Sequence, residues 1–341
     1  MTTLMVREAG DQGTSHKRNL PPLNKFTGFD FLRAIFALVV VVLHASLLVV
    51  FTGRLQLGAV ADILNANVGY LAVPIFLQIS LFLFFLKSEK AGTRYFRQKR
   101  LPRLIWLYLF WSIAKLSVDF CLTGKSEAIE RAFSSPGKMI GFVIGGGYSA
   151  FYFFFALIFL TTVSDWLIRW FQSLKGTSNR RISYWLLILS CMMIFAFPFI
   201  DSQISHQEIF TQIINPLNFL PYVFTVAITV QEFQAAELQE LTPPLTLKLA
   251  YLLAFFLFFT ILEWVLFAKF PHYSRVSLVF GSWLLLYLAL LSKQRVPAIV
   301  EFLSGCSLGI YGFHVFFVDH TLSLEKLSDF LPGLGPLSRF A

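Results

Sequence analysis

The sequence predicts an all-α fold, a polytopic bundle of about nine transmembrane helices with its N-terminus in the cytoplasm. Three observations predict it. Apolar residues make up 56% of the 341 residues and charged residues only 14%, against roughly 25% charged in an average soluble domain. Mean hydropathy is +0.68 and 40 residues are Phe, more apolar surface than a water-facing shell could hide. The apolar residues fall in runs separated by short polar loops, and spans of about 20 residues account for them.

Taken in order, residues 1–28 form a polar tail closed by Pro21-Pro22, with no apolar run of the kind a signal peptide carries. Spans are expected at 29–51, 68–86, 104–122, 139–168, 182–200, 213–231, 246–268, 273–292 and 298–319. The fourth is composite: Gly145-Gly146-Gly147 interrupts it, so a short or re-entrant piece precedes a helix from residue 149. Residues 29–320 thus make a transmembrane domain, and 321–341 a short C-terminal tail.

Charge orients the bundle. With the N-terminus inside, the cytoplasmic loops hold 18 Lys and Arg and the outer ones 8, while Arg33 and Lys115 fall within spans, which completes the 28. Seven of the inner cations lie in residues 87–103 alone. The net charge of +9 therefore reads as positive-inside topology and attraction to anionic lipids, not as a nucleic-acid interface. The loop 232–248 is neutral in this respect, with Glu232, Glu237 and Glu240 against Lys248. Nine spans place the C-terminus outside.

Disorder, a disulfide scaffold and a soluble enzyme are excluded by composition. Cys121, Cys191 and Cys306 are far apart in apolar stretches, which argues against a disulfide framework and against a zinc site; no metal is expected. There is no internal repeat, no Walker or dinucleotide glycine pattern, no HExxH and no GxSxG.

An ionisable residue at membrane depth is costly and therefore a functional candidate. The first span carries Arg33 and His44. Eleven steps of about 100° bring the second back to within about 20° of the first, some ~16 Å further along one helix face. Arg33 would sit near the cytoplasmic edge and His44 deeper, with Asp30 one turn before Arg33 and placed to hold it by hydrogen bonds. A neutral His can serve as a general base near pH 7, and a fixed cation at that distance suits an anionic co-substrate. Interfacial snorkelling for the Arg and interhelical hydrogen bonding for the His are the competing structural readings.

Arg, ten residues, then His within Phe-Asp-Phe-Leu-Arg33-Ala-Ile-Phe-Ala-Leu resembles the first-span signature of the membrane acyltransferase-3 family. Val73-Pro74-Ile75-Phe76 with Ser80 is similar to a second family segment, although Leu81 replaces the usual Gly. Arg94 to Arg103 resembles the family's basic Arg-x-x-Arg stretch, Phe151-Tyr152-Phe153-Phe154 its aromatic segment with Tyr152 at a Trp position, and Asn218-Phe219-Leu220-Pro221 its sixth-span segment. Ser307-Leu-Gly-Ile-Tyr311-Gly-Phe-His314 closely resembles the last. The segments occur in family order across residues 26–320. Family members commonly have ten spans, with one more helix after the last His, and residues 321–341, broken by Pro332, Gly333, Gly335 and Pro336, are too short for it.

The resemblance implies an integral membrane acyltransferase of the O-acetyltransferase type, most naturally in a bacterial inner membrane. It would move an acyl group, typically acetyl, from acyl-coenzyme A, a donor substrate with no permanently bound cofactor beside it, to a hydroxyl of a cell-surface glycan or lipid-linked sugar. Arg100 and Arg103, three apart and on one helix face, would clamp donor phosphates together with Arg97 or Arg33. His44 would be the base. Ser307, Tyr311 and His314 lie on one face of the last span and would stabilise the oxyanion, with Tyr152 and Ser80 as further candidates. Glu263, Trp264, Lys269, His272, Tyr273 and Arg275 are candidates for an acceptor rim at the outer end of the seventh span. A secondary transporter or flippase using Arg33, His44 and Glu263, and an inactive scaffold, remain the alternatives.

Overall fold

The computed structural model describes residues 26–45, 58–92, 94–123, 127–147, 150–174, 179–204, 215–238, 240–267 and 273–320. All regular structure among them is helical. The helices are α1 (Thr27–His44), α2 (Gly58–Asn67), α3 (Ala72–Ala91), α4 (Leu101–Thr123), α5 (Glu127–Ala132), α6 (Pro136–Ile144), α7 (Tyr152–Ser173), α8 (Asn179–Ile204), α9 (Pro221–Gln234), α10 (Pro243–Leu266), α11 (Val276–Leu291) and α12 (Ala298–His320). Residues 1–25 of the expected 1–28 tail, the expected tail 321–341, and the far end of the first span beyond Ala45 lie outside the described residues, while Thr27 and Gly28 already belong to α1.

Each expected apolar run contains a helix, and among the described residues seven segments are long and apolar enough to cross a membrane. The chain is an integral, multi-pass membrane protein. Helices α9 and α11 are the exceptions, with 14 and 16 residues. At 1.5 Å per residue they rise only ~21 and ~24 Å, short of a hydrocarbon core of about 30 Å. Proline explains one start, since Pro221 stands in the first turn of α9. The other starts after Arg275, whose backbone is extended (φ −136°, ψ 121°). Both short helices are instead enclosed by the longer ones: ten consecutive residues of α9, Pro221 to Val230, are buried.

Burial grades the bundle from centre to rim. The segment containing α3 is 72% buried and α10 only 11%. α3 packs on α9, α11, α7 and α1, whereas α10 lies over α11. Rim helices expose large apolar side chains, including Trp106 on α4, Trp185 on α8 and Val265 on α10, a surface that fits lipid rather than water. Inside, the helices are joined by aromatic edges and by polar pairs. Phe29 and Phe82 meet edge to face at 5.5 Å, linking α1 to α3. Gln78 donates to Thr225 Oγ1 at 2.9 Å, and Trp283 Nε1 to Thr229 Oγ1 at 2.9 Å, joining α3, α9 and α11.

The glycine break expected in the fourth span is present. α6 ends at Ile144, and Gly146 and Gly147 then adopt φ of 58° and 77°, values that need glycine. A Cβ on Gly146 would also stand 2.6 Å from the carbonyl carbon of Phe151. This turn aims α7 into the bundle. α1 packs chiefly on α12. Asp30 meets Ser304 and His44 meets His314, so the two helices run parallel.

Candidate active site

One cleft, of about 390 Å³, opens between α1, α3, α4, α7 and α12. Arg33 enters it from α1, Ser80 and Lys87 from α3, Tyr95 from the segment before α4, Arg100 and Arg103 from the entry to α4, and Ser304, Ser307 and Tyr311 from α12. Phe76, Phe153, Phe154 and Leu157 supply an apolar wall. Among the described residues, four cations line this cleft and no carboxylate does. The Arg100 guanidinium donates through Nη2 to Ser80 Oγ, and its buried Nε meets no acceptor among the described residues. Among those residues, no hydrogen bond to the Arg33 guanidinium is formed either. Such a set of convergent, under-used donors suits an anionic ligand with several phosphate oxygens.

The backbone explains the convergence. Phe96–Arg100 forms a π-turn that runs directly into α4. Widening one turn changes which residues share a face. Arg100 and Arg103 point into the cleft, whereas Arg97, expected beside them, is exposed and does not line it. Asp30 differs too. Its carboxylate accepts from Ser304 Oγ at 2.7 Å and so ties α1 to α12, rather than holding Arg33 by a hydrogen bond.

Tyr311 also lines the cleft, and its hydroxyl donates to the Ala150 carbonyl at 2.6 Å. Behind Tyr311 stands His314, with ring centroids 5.4 Å apart, and His314 in turn faces His44 at 4.9 Å. His44 ends α1 and is exposed, whereas His314 is 4% exposed. The two predicted poles of the site are thus physically distinct: a cationic cleft around Arg33, and a histidine pair beyond a tyrosine wall.

Tyr152 lies in neither. Its hydroxyl donates to Tyr273 Oη at 2.6 Å and its ring stacks on Phe219 at 6.3 Å. Glu263 and Arg275, expected at an acceptor rim, are both fully buried and bonded to one another at 2.9 Å. Glu263 also accepts from the Ser277 backbone N–H at 3.0 Å, and Arg275 donates to Asn67 Oδ1 at 2.6 Å. They pin α2, α10 and α11 together. Trp264 is exposed, and Lys269 and His272 lie outside the described residues. Sequence reasoning missed Lys87, Tyr95 and Ser304 as cleft residues. Ser304 had a signal, being three before Ser307 and seven before Tyr311 on the same helical face.

The model of the acyltransferase-3 family, described as an acyltransferase domain, matches residues 26–325. The chain belongs to the acyltransferase-3 family. That match covers most of the chain and makes this membrane protein an acyltransferase. No curated protein and no solved structure matches it. The acyltransferase-3 domain begins at Phe26, so the Arg33 to His44 helix and the cleft both fall within it.

Proposed function

We propose that this acyltransferase moves an acyl group, acetyl in the simplest case, from acyl-coenzyme A to a hydroxyl of a surface glycan or lipid-linked sugar. The observation that carries the reading is the cleft with four cations and no acid, walled by Tyr311 next to the histidine pair. Arg33, Lys87, Arg100 and Arg103 bind the phosphates. The positive-inside bias places that end of the bundle in the cytoplasm, where acyl-coenzyme A is made. The apolar wall of Phe76, Phe153 and Phe154 takes the start of the pantetheine arm.

His44 is the base. It takes the proton of the acceptor hydroxyl as the oxygen attacks the thioester carbonyl carbon. The tetrahedral intermediate collapses by breaking the C–S bond, and the thiolate leaves with the proton returned by the imidazolium. One ester is formed and one free coenzyme A thiol is released, with no external proton needed. Ser307 Oγ lies on the cleft side of α12, seven residues and about 10 Å of helix rise before His314, so it belongs to the phosphate end of the site rather than beside His44. Tyr311 already spends its hydroxyl proton on Ala150.

Membranes containing the protein, supplied with radiolabelled acetyl-coenzyme A and host glycan, test this. Label should reach the glycan fraction and be lost in His44→Ala. Acceptor crossing the membrane with no label transfer would sink the proposal.

A further inference from the structure

We infer that His314 is the positioning residue of the reaction: it fixes the tautomer and the orientation of His44 through the contact between their rings. This rests on the proposed role of His44 as base and assigns the group behind it.

The chemistry follows from one bond. His314 Nδ1 lies 2.5 Å from the Tyr311 carbonyl oxygen, one turn earlier in α12. A carbonyl oxygen only accepts, so Nδ1 carries the proton and donates. Neutral His314 then has no second N–H. Its Nε2 is an acceptor, and that atom is buried and takes no hydrogen bond among the described residues. His314 therefore cannot donate to an oxyanion, the role its place on the Ser307–Tyr311 face first indicates. It can receive an N–H. The ring packed against it is that of His44, with centroids 4.9 Å apart and planes inclined at 44°. The rings are in contact without that hydrogen bond in the structure, and the inference is that a turn of the exposed His44 ring within this contact closes an N–H···N bond of about 3 Å. When His44 gives one N–H to His314 Nε2, its other nitrogen is left as the lone-pair base.

Burial assigns the two roles. His44 is exposed and can meet an acceptor hydroxyl, whereas His314 is 4% exposed and walled by Tyr311. The support is rigid. Tyr311 is anchored to Ala150 through its hydroxyl, and Gly312 lets α12 close against Trp111, whose ring a Cβ there would meet at 2.2 Å. A base oriented by a second group is the logic of catalytic triads. Here the orienting group is a neutral imidazole, which places no fixed charge in the membrane.

The test uses full-length protein, acetyl-coenzyme A and four variants: His314→Leu, His314→Gln, His44→Ala and the double His44→Ala/His314→Leu. Gln keeps an acceptor near the Nε2 position and Leu does not. His314→Leu should lower kcat by on the order of 10-fold or more, within the ~10²–10⁴-fold of general-base catalysis, with KM for the donor unchanged. His314→Gln should recover most of that loss. In the His44→Ala background, His314→Leu should cost little more, because residues acting as a unit are not additive. A purely structural His314 would give equal losses in Leu and Gln and an additive double variant, which overturns the inference while leaving His44 as base. Wild-type turnover in His44→Ala would overturn both. If the Leu variant does not fold, the Gln variant still decides, since loss of turnover there with normal folding and donor KM also refutes the idea.

Discussion

Replacing Arg100 with Ala should weaken coenzyme A binding strongly without lowering the stability of the ligand-free protein. Arg100 is half-buried, spends one N–H on Ser80 and leaves a buried Nε with no acceptor among the described residues. It also shares its cleft with Arg33, Lys87 and Arg103, so the site holds like charges together. A hydrogen bond to a charged group contributes about 1.5–3 kcal/mol, which is roughly 10- to 150-fold in Kd. Arg100 should lie toward the upper end of that range because it is partly shielded from water. Arg103 is exposed at the same cleft, and its contribution should lie near 10-fold or below and fall with added salt. Stability moves the other way. Removing one cation from a cleft without carboxylates relieves repulsion, so the ligand-free melting temperature of Arg100→Ala should stay level or rise. Equilibrium binding of coenzyme A at low and high salt, with a thermal-shift measurement on the same samples, reads both quantities. Unchanged low-salt affinity in Arg100→Ala and Arg103→Ala would refute the assignment of the cleft. A fall in melting temperature matching the fall in affinity would show that Arg100 supports the fold instead.

His44→Ala should cost ~10²–10⁴-fold in transfer rate with coenzyme A affinity unchanged, since His44 does not line the cationic cleft; single-turnover rates and equilibrium binding check the two halves separately. Glu263→Ala leaves Arg275 buried without its carboxylate and should cost about 3–5 kcal/mol, visible as lost folded yield in size-exclusion profiles, whereas Glu240→Ala, at an exposed position, should leave the profile unchanged. Gly146→Ala forces a side chain into a left-handed conformation against Phe151 and should destabilise the protein by about 1–3 kcal/mol; a melting curve identical to that of the wild type would show that the turn relaxes.

The membrane class and the position of the helices were legible because burial in lipid writes itself as long apolar runs, and the glycine break between Ile144 and Phe151 was legible because only glycine takes its φ values. Arg33, Ser80, Arg100, Arg103, Ser307 and Tyr311 were each visible as residues and do line one cleft. Periodicity did not show that they share it, since it reports which face of a helix is apolar and says nothing about which helix lies beside it; only the family resemblance put Arg33, Arg100 and Arg103 at one site. The α1–α12 contact joins residues far apart in the chain, and on it depend both the Asp30–Ser304 bond and the His44–His314 contact. Arg97 was misplaced for a local reason, the π-turn over Phe96–Arg100, which a regular 3.6-residue period does not anticipate. Glu263 was misplaced because its partner Arg275 stands beyond the end of α10; read alone, each looked like a rim charge.

The two poles of the site are held by different means, and this bears on how they cooperate. The spacing between Arg33 and His44 is set within a single helix, about 16 Å by rise alone, and cannot change unless α1 bends. The cleft around Arg33 is completed by α3, α4, α7 and α12. His44 meets His314 of α12. Helix α12 is therefore common to both poles, contributing Ser304 and Ser307 to the cleft, Tyr311 to the wall and His314 to the pair. Because α1 and α12 run parallel and are tied by Asp30 at the cationic end, sliding one along the other would disturb the Asp30–Ser304 bond and the histidine contact together.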